Sequence, residues 1–215
     1  MTRSQGIIAY RMLIGLLGFS AVVTEIATLV DRGRFTPGNF FSFFTIESNC
    51  LSAAILIVSA LAMAAGRRDR SIEMLRGANT VNMILVGVTF SLLLAGLENT
   101  EFTAVPWDNT VLHYIAPVAV ALDWFLDIPR VNIAFKQAMV WLAFPLAYLA
   151  YSLIRGPIVN WYPYPFLDPG HHGYASVAVT SLMLLIMSTA LACALAWMTQ
   201  RATTRAGGVV VPDAG

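Results

Sequence analysis

The chain has 215 residues, of which 58% are hydrophobic and only 12% are Asp, Glu, Lys or Arg, about half the charge of a soluble domain. A mean hydropathy of +0.70 is too high for one water-soluble core, because a domain of this size leaves roughly a third of its chain surface in solvent; the expected fold class is an all-α polytopic membrane bundle. The net charge of +1 argues against nucleic acid as a partner, and two isolated cysteines, Cys50 and Cys193, argue against a disulfide scaffold, a zinc site or a redox motif.

A hydrocarbon core of about 30 Å needs roughly 20 apolar residues per helix. Six such runs occur, from Ile8 to Val30, Phe40 to Ala65, Gly77 to Leu97, Thr110 to Leu126, Ala138 to Ile154 and Tyr174 to Trp197. The first is too long for a signal h-region and has no small-x-small cleavage site, so it reads as a retained helix. The fourth and fifth are short and hold Pro117 and Pro145, which a membrane helix tolerates when neighbouring groups re-satisfy the freed carbonyl. With six spans, one side collects ten Lys and Arg residues, including the cluster Arg67, Arg68, Arg70 and Arg76, and the other side collects Arg32, Arg34 and Arg155. The excess predicts both termini in the cytoplasm. The four-Arg cluster itself reads as a topology signal and a headgroup contact. Residues 1–200 are expected to form one six-helix domain, and residues 201–215 a disordered cytoplasmic tail. Twelve of the thirteen basic residues are Arg, a bias that hints at a bacterial origin and hence at a bacterial cytoplasmic membrane.

Ionisable groups inside spans are expensive and mark pathways or sites by default. Here they are Glu25, Glu47, His113 and Asp123, with Arg11 and Arg155 near span ends. In the second span Thr45, Ser48, Asn49 and Ser52 fall at offsets of 0, 3, 4 and 7 and share one helical face. Such a stripe serves helix packing and backbone bonding equally well. In the fourth span Asn109, His113, Ala116, Val120 and Asp123 share a face, and a lone membrane histidine is also commonly a bonded core residue. Depth separates the readings: at 1.5 Å per residue Thr45 and His113 both lie roughly 8 Å below the outer boundary. A hydroxyl beside a base poised near neutrality is what nucleophilic catalysis requires.

Other outer-side residues fit a surrounding pocket. Glu25 and Glu98 end the first and third spans, and Tyr148, Tyr151, Ser152 and Arg155 share the outer half of the fifth. Arg155 either holds a carboxylate, from Glu25, Glu98 or a ligand, or snorkels to headgroups. The segment Trp161 to Asp168, with Tyr164 and Phe166, is either an interfacial anchor or a lid over Thr45 and His113. No Gly-x-Ser-x-Gly elbow, Walker loop or His-Glu-x-x-His helix is present. His171-His172 lacks a third ligand nearby, and no metal or cofactor is expected.

Phe43-Phe44-Thr45 opening the second span, His113 followed by Pro117, and Trp161 to Asp168 with its Tyr-Pro-Phe-Leu-acid core resemble the androgen-induced protein family. Phe44-Thr45-Ile46-Glu47-Ser48-Asn49, Trp107-Asp108-Asn109 and Asp123-Trp124 are closest to its bacterial six-transmembrane branch. The resemblance spans roughly residues 8 to 200. It implies a membrane threonine hydrolase that cleaves fatty acid esters of hydroxy fatty acids, with Thr45 as nucleophile and His113 as base. Asn49 and Asn109, one turn from each, are candidate oxyanion donors, and Ser48 stands where animal members carry an acid. The expected partners are a lipid ester and membrane lipids. The alternative is a small transporter, channel or lipid-binding protein in which Glu25, Glu47, His113 and Asp123 form a proton or ion path.

Overall fold

The computed structural model of the chain describes residues 2–97 and 103–207. Glu98 lies outside them. Six helices are long and apolar enough to cross a membrane: α1 (Arg3–Asp31), α2 (Phe44–Ala64), α3 (Arg70–Leu94), α4 (Pro106–Leu126), α5 (Phe135–Val159) and α6 (Gly173–Thr204). No strand occurs among the described residues. The all-α polytopic architecture is therefore the one the composition demands, because a backbone in lipid must satisfy its polar groups within each segment.

Helices α3 and α4 are central, burying 56% and 50% of their most apolar stretches, whereas α6 buries 17% and turns most of its surface outward. The start of α1 and the end of α6 lie at one end, where Arg3, Arg68, Asp127 and Ala202 line a common pocket. That end is packed by Trp124, Trp141, Ile133, Val81 and Leu195, with the two indoles edge to face at 6.0 Å. Gly77 permits the contact, since a Cβ there would fall 2.1 Å from Trp141 Cζ2. The opposite end is packed by Phe44, Leu85, Phe90, Tyr148, Tyr164 and Leu167.

Several helix limits depart from the hydropathy runs for reasons that are local. Helix α1 starts at Arg3, where Thr2 and Gln5 form a reciprocal capping box. Helix α3 begins at Arg70, seven residues early, because Glu73 and Arg76 are paired inside the bundle and do not have to face lipid. Helix α4 begins at Pro106, a residue suited to a first helical turn. Its middle loosens into a π turn over Val111–Ile115 just before Pro117, which lacks the N–H that His113's carbonyl would accept in a regular helix. A second π turn, Phe90–Leu94, ends α3 beside it. The last helix continues past Arg201 to Gly207, so the first part of the expected disordered tail is helical. Gln200 bonds the Ile133 carbonyl at 2.9 Å and Thr203 and Thr204 bond back to the preceding turn.

Asp123 does not stand in a solitary polar path. It accepts Arg11 Nε at 2.7 Å and Arg76 Nη2 at 2.8 Å, and Asp127 accepts Arg11 at 2.9 Å and Arg68 at 3.0 Å. Arg11, Arg68 and Arg76 thus meet Glu73, Asp123 and Asp127 in one cluster, three charges against three. Burial would push the Asp127 carboxyl up, but the hydrogen bond from Arg68 and the charges of Arg76, Arg11 and Arg68 outweigh it and hold it below the ordinary range.

Candidate functional site

Thr45 is the second residue of α2, buried at the end of the bundle opposite the start of α1. Its four-residue stripe faces inward as the spacing requires: Thr45, Ser48, Asn49 and Ser52 are all buried. Thr45 lines a partly open cavity of about 80 Å³ walled by Val86, Phe90, Leu94, Leu149, Phe166 and Leu184, among others. A single water needs roughly 10–15 Å³ of such space, so the cavity admits a group of several heavy atoms.

The segment after α5 closes this cavity. Asn160 takes a left-handed conformation and ends the helix, and Gly156 lets the Tyr162 ring lie against it, since a Cβ there would fall 2.0 Å from Tyr162. The chain then folds back so that Tyr164 is 5% exposed, its ring edge to face with Phe43 and stacked on Phe166. The Thr45 N–H donates to Tyr164 Oη at 3.3 Å, and the Thr45 hydroxyl lies 3.4 Å from the same oxygen. Burial pushes the Tyr164 phenol above its ordinary value, so the group stays protonated and keeps a donor to offer. Asp168 accepts the Gly170 N–H at 2.8 Å at the entry to α6. Trp161 is half-buried, edge to face with Phe43 and beneath the Arg155 guanidinium. Sequence alone made Tyr164 a cap residue; its role beside Thr45 depends on a fold-back between α5 and α6 that carries no local signal.

Asn49 joins the two helices that bear the catalytic candidates. Its Nδ2 donates to the Thr45 carbonyl at 2.9 Å and to the Leu112 carbonyl at 3.2 Å. Two carbonyls on one amide nitrogen bring Thr45 and the residue before His113 to nearly the same level. The same bonds occupy both amide protons, so in this conformation Asn49 acts as a strap and has no proton left for an oxyanion. Ser48 is buried, and no hydrogen-bond partner for its hydroxyl is found among the described residues.

His113 is buried, with Nδ1 3.1 Å from the Asn109 carbonyl. A carbonyl only accepts, so this bond assigns the proton to Nδ1 and leaves Nε2 bare as a base. Asn109 therefore contributes through its backbone. The imidazole stacks on Phe90 with ring centroids 3.8 Å apart, and it lines a separate groove with Gly87, Ser91, Tyr114 and Pro117. Among the described residues no hydrogen bond links Thr45 to His113; Phe90 borders both the Thr45 cavity and the imidazole.

The remaining expected neighbours fall elsewhere. Tyr151 shares a 2.7 Å hydrogen bond with Ser42, while Tyr148 donates to the Ser42 carbonyl at 2.9 Å. Arg155 donates to Asn39 at 2.8 Å and holds neither Glu25 nor another described carboxylate. Its partner choice follows from the helical turn Pro37–Phe40, which brings Asn39 to it. Glu25 instead accepts the Ala104 N–H with both oxygens, at 2.8 and 2.9 Å. No cluster of three potential metal ligands occurs among the described residues.

The fold defines a six-span helical membrane protein, with a buried threonine beneath the segment that folds back after α5. No protein-family model, curated protein or solved structure matches the chain.

Proposed function

We propose that the protein is an intramembrane hydrolase of lipid esters, with Thr45 as nucleophile and His113 as general base, in a bacterial cytoplasmic membrane with both termini cytoplasmic. The family resemblance of the Thr45, His113 and Trp161–Asp168 motifs suggests fatty acid esters of hydroxy fatty acids as substrates. What carries the proposal is the Thr45 hydroxyl: it is buried, lines a partly open apolar cavity, and has a protonated phenol 3.4 Å away. A hydroxyl placed only for packing has no need of that space.

The chemistry follows from these groups. An ester carbonyl enters the cavity, and Thr45 Oγ1 forms a bond to its carbon while its proton passes to His113 Nε2. Tyr164 Oη, which accepts the Thr45 N–H, donates its own proton to the oxyanion as charge develops. The tetrahedral intermediate expels the alkoxide, which takes the proton back from His113. Water then attacks the acyl-threonine, giving a proton to His113, and the second tetrahedral intermediate collapses to the carboxylic acid as Thr45 Oγ1 leaves and takes that proton back. Proton transfer in the first step requires the imidazole and the Thr45 hydroxyl to come together, and Phe90, which stacks on the imidazole and lines the cavity, has to move aside for it.

The ion-path alternative needs its acids and histidine in sequence. Asp123 is instead held by Arg11 and Arg76, and Glu25 by the Ala104 N–H. The test is hydrolysis by purified, detergent-solubilised protein of a short fluorogenic acyl ester and of a branched fatty acid ester. Turnover by the wild type, lost in folded Thr45→Ala and His113→Ala, is the expected result. Equal rates in all three proteins would sink the proposal.

A further inference from the structure

At the end of the bundle where α1 starts, beside the charge-balanced cluster and sharing Arg68 and Asp127 with it, a pocket of about 280 Å³ opens between the start of α1, the end of α4 and the end of α6. Arg3, Ser4, Arg68 and Arg130 form its polar rim, and Ile7 and Phe125 contribute apolar wall. The one acid among its lining residues, Asp127, already has one oxygen bonded to Arg68 and the other to Arg11. Arg68 is thereby neutralised, but Arg3 and Arg130 are not. Arg3 donates one Nη2 bond to the Leu126 carbonyl at 2.9 Å, and Arg130 makes no ion pair or hydrogen bond among the described residues.

Two uncompensated guanidiniums over an apolar wall, at the level where α4 ends and α1 begins, match one chemistry. An anion with a phosphate oxygen face and a hydrocarbon body is satisfied by both halves: fork-like N–H donors take the phosphate, and the wall takes the first carbons of a chain. We infer that this pocket binds the phosphodiester headgroup of an anionic phospholipid, held between Arg3 and Arg130 with the Ser4 hydroxyl as a further donor. The membrane itself supplies this ligand. The site is independent of Thr45 and lies at the other end of the bundle.

The test uses the full chain purified in neutral detergent, with phosphatidylglycerol, phosphatidylcholine and inorganic phosphate as separate probes, read by lipid retention in native mass spectrometry and by melting temperature. Wild type is expected to retain phosphatidylglycerol over phosphatidylcholine and to melt higher with it. Arg3→Gln/Arg130→Gln should weaken that retention by about twenty-fivefold, about fivefold per lost guanidinium. Arg67→Gln/Lys136→Gln removes the same charge from the same end outside the pocket and should change it less than about twofold. If the first double variant fails to fold, Arg130→Gln alone, at an exposed position, should still lose about fivefold. Equal losses in both double variants would mean general surface charge, and equal retention of both lipids would mean no site for the anion. Stabilisation by millimolar inorganic phosphate as large as by phosphatidylglycerol would mean a free-phosphate site. Any of these three overturns the inference.

Discussion

The Phe90 ring lies on the His113 imidazole at 3.8 Å between centroids, nearly parallel at 21°, and Phe90 also lines the cavity into which Thr45 opens. The helices that bear Thr45 and His113 are thus joined by Asn49, and one aromatic side chain borders both the cavity and the imidazole. Phe90 sits at the start of a π turn, where the backbone of α3 departs from its regular winding.

Phe90→Leu keeps an apolar wall but removes the stack on His113. Under the proposed mechanism the imidazole is then freer to reach Thr45, and kcat should rise about threefold to tenfold, the range of a single aromatic pair. Steady-state kinetics decide: a fall in kcat instead would mean that the stack holds the base in its working position.

Tyr164→Phe deletes one oxygen and keeps the ring that packs on Phe43 and Phe166. As an oxyanion donor, the phenol should account for about 10²–10³ in kcat, with KM changed little. A melting temperature close to wild type shows that the loss is chemical and not a collapse of the cap.

Asp123→Asn removes the carboxylate shared by Arg11 and Arg76, both 2% exposed. Two buried guanidiniums are left short of their counterion, and the protein should lose about 3–5 kcal/mol of stability, the cost of breaking a buried pair. Thermal melts in detergent measure it. Ester turnover per folded molecule should be unchanged, since this cluster lies at the end opposite Thr45.

Asp127 couples stability to pH. Its carboxyl titrates lower in the folded protein than in the unfolded chain, where the value is about 3.9. The folded state therefore binds fewer protons, and its stabilisation is fully present above about pH 4 and lost as pH falls through the lower folded value. Melting temperature should drop through this acid range in the wild type and more shallowly in Asp127→Asn.

Gly156→Ala places a methyl where the Tyr162 ring now lies. The ring cannot stay, and the strained contact should cost about 1–3 kcal/mol. Limited proteolysis between Trp161 and Asp168 should accelerate, and hydrolysis should fall with it as the cap over Thr45 loosens.

The architecture was legible because lipid imposes a simple rule: six runs of apolar residues, each long enough to span, can only be helices. The inward faces of Thr45, Ser48, Asn49 and Ser52, and of His113 and Asp123, followed from helical spacing alone. Helix limits strayed where charge is hidden by pairing, as at Arg70–Arg76, or where proline opens a helix, as at Pro106.

What the tertiary structure alone decided is which polar side chain meets which. Asp123 looked like a lone intramembrane acid because its partners, Arg11 and Arg76, are 112 and 47 residues away. Arg155 found Asn39 and not a carboxylate, Asn49 took two carbonyls, and Tyr164 came down on Thr45 across 119 residues. Spacing along a helix fixes direction around its own axis only. The distance between side chains on different helices depends on rotation, π turns and a folded-back loop, and these are set by packing summed over the whole bundle.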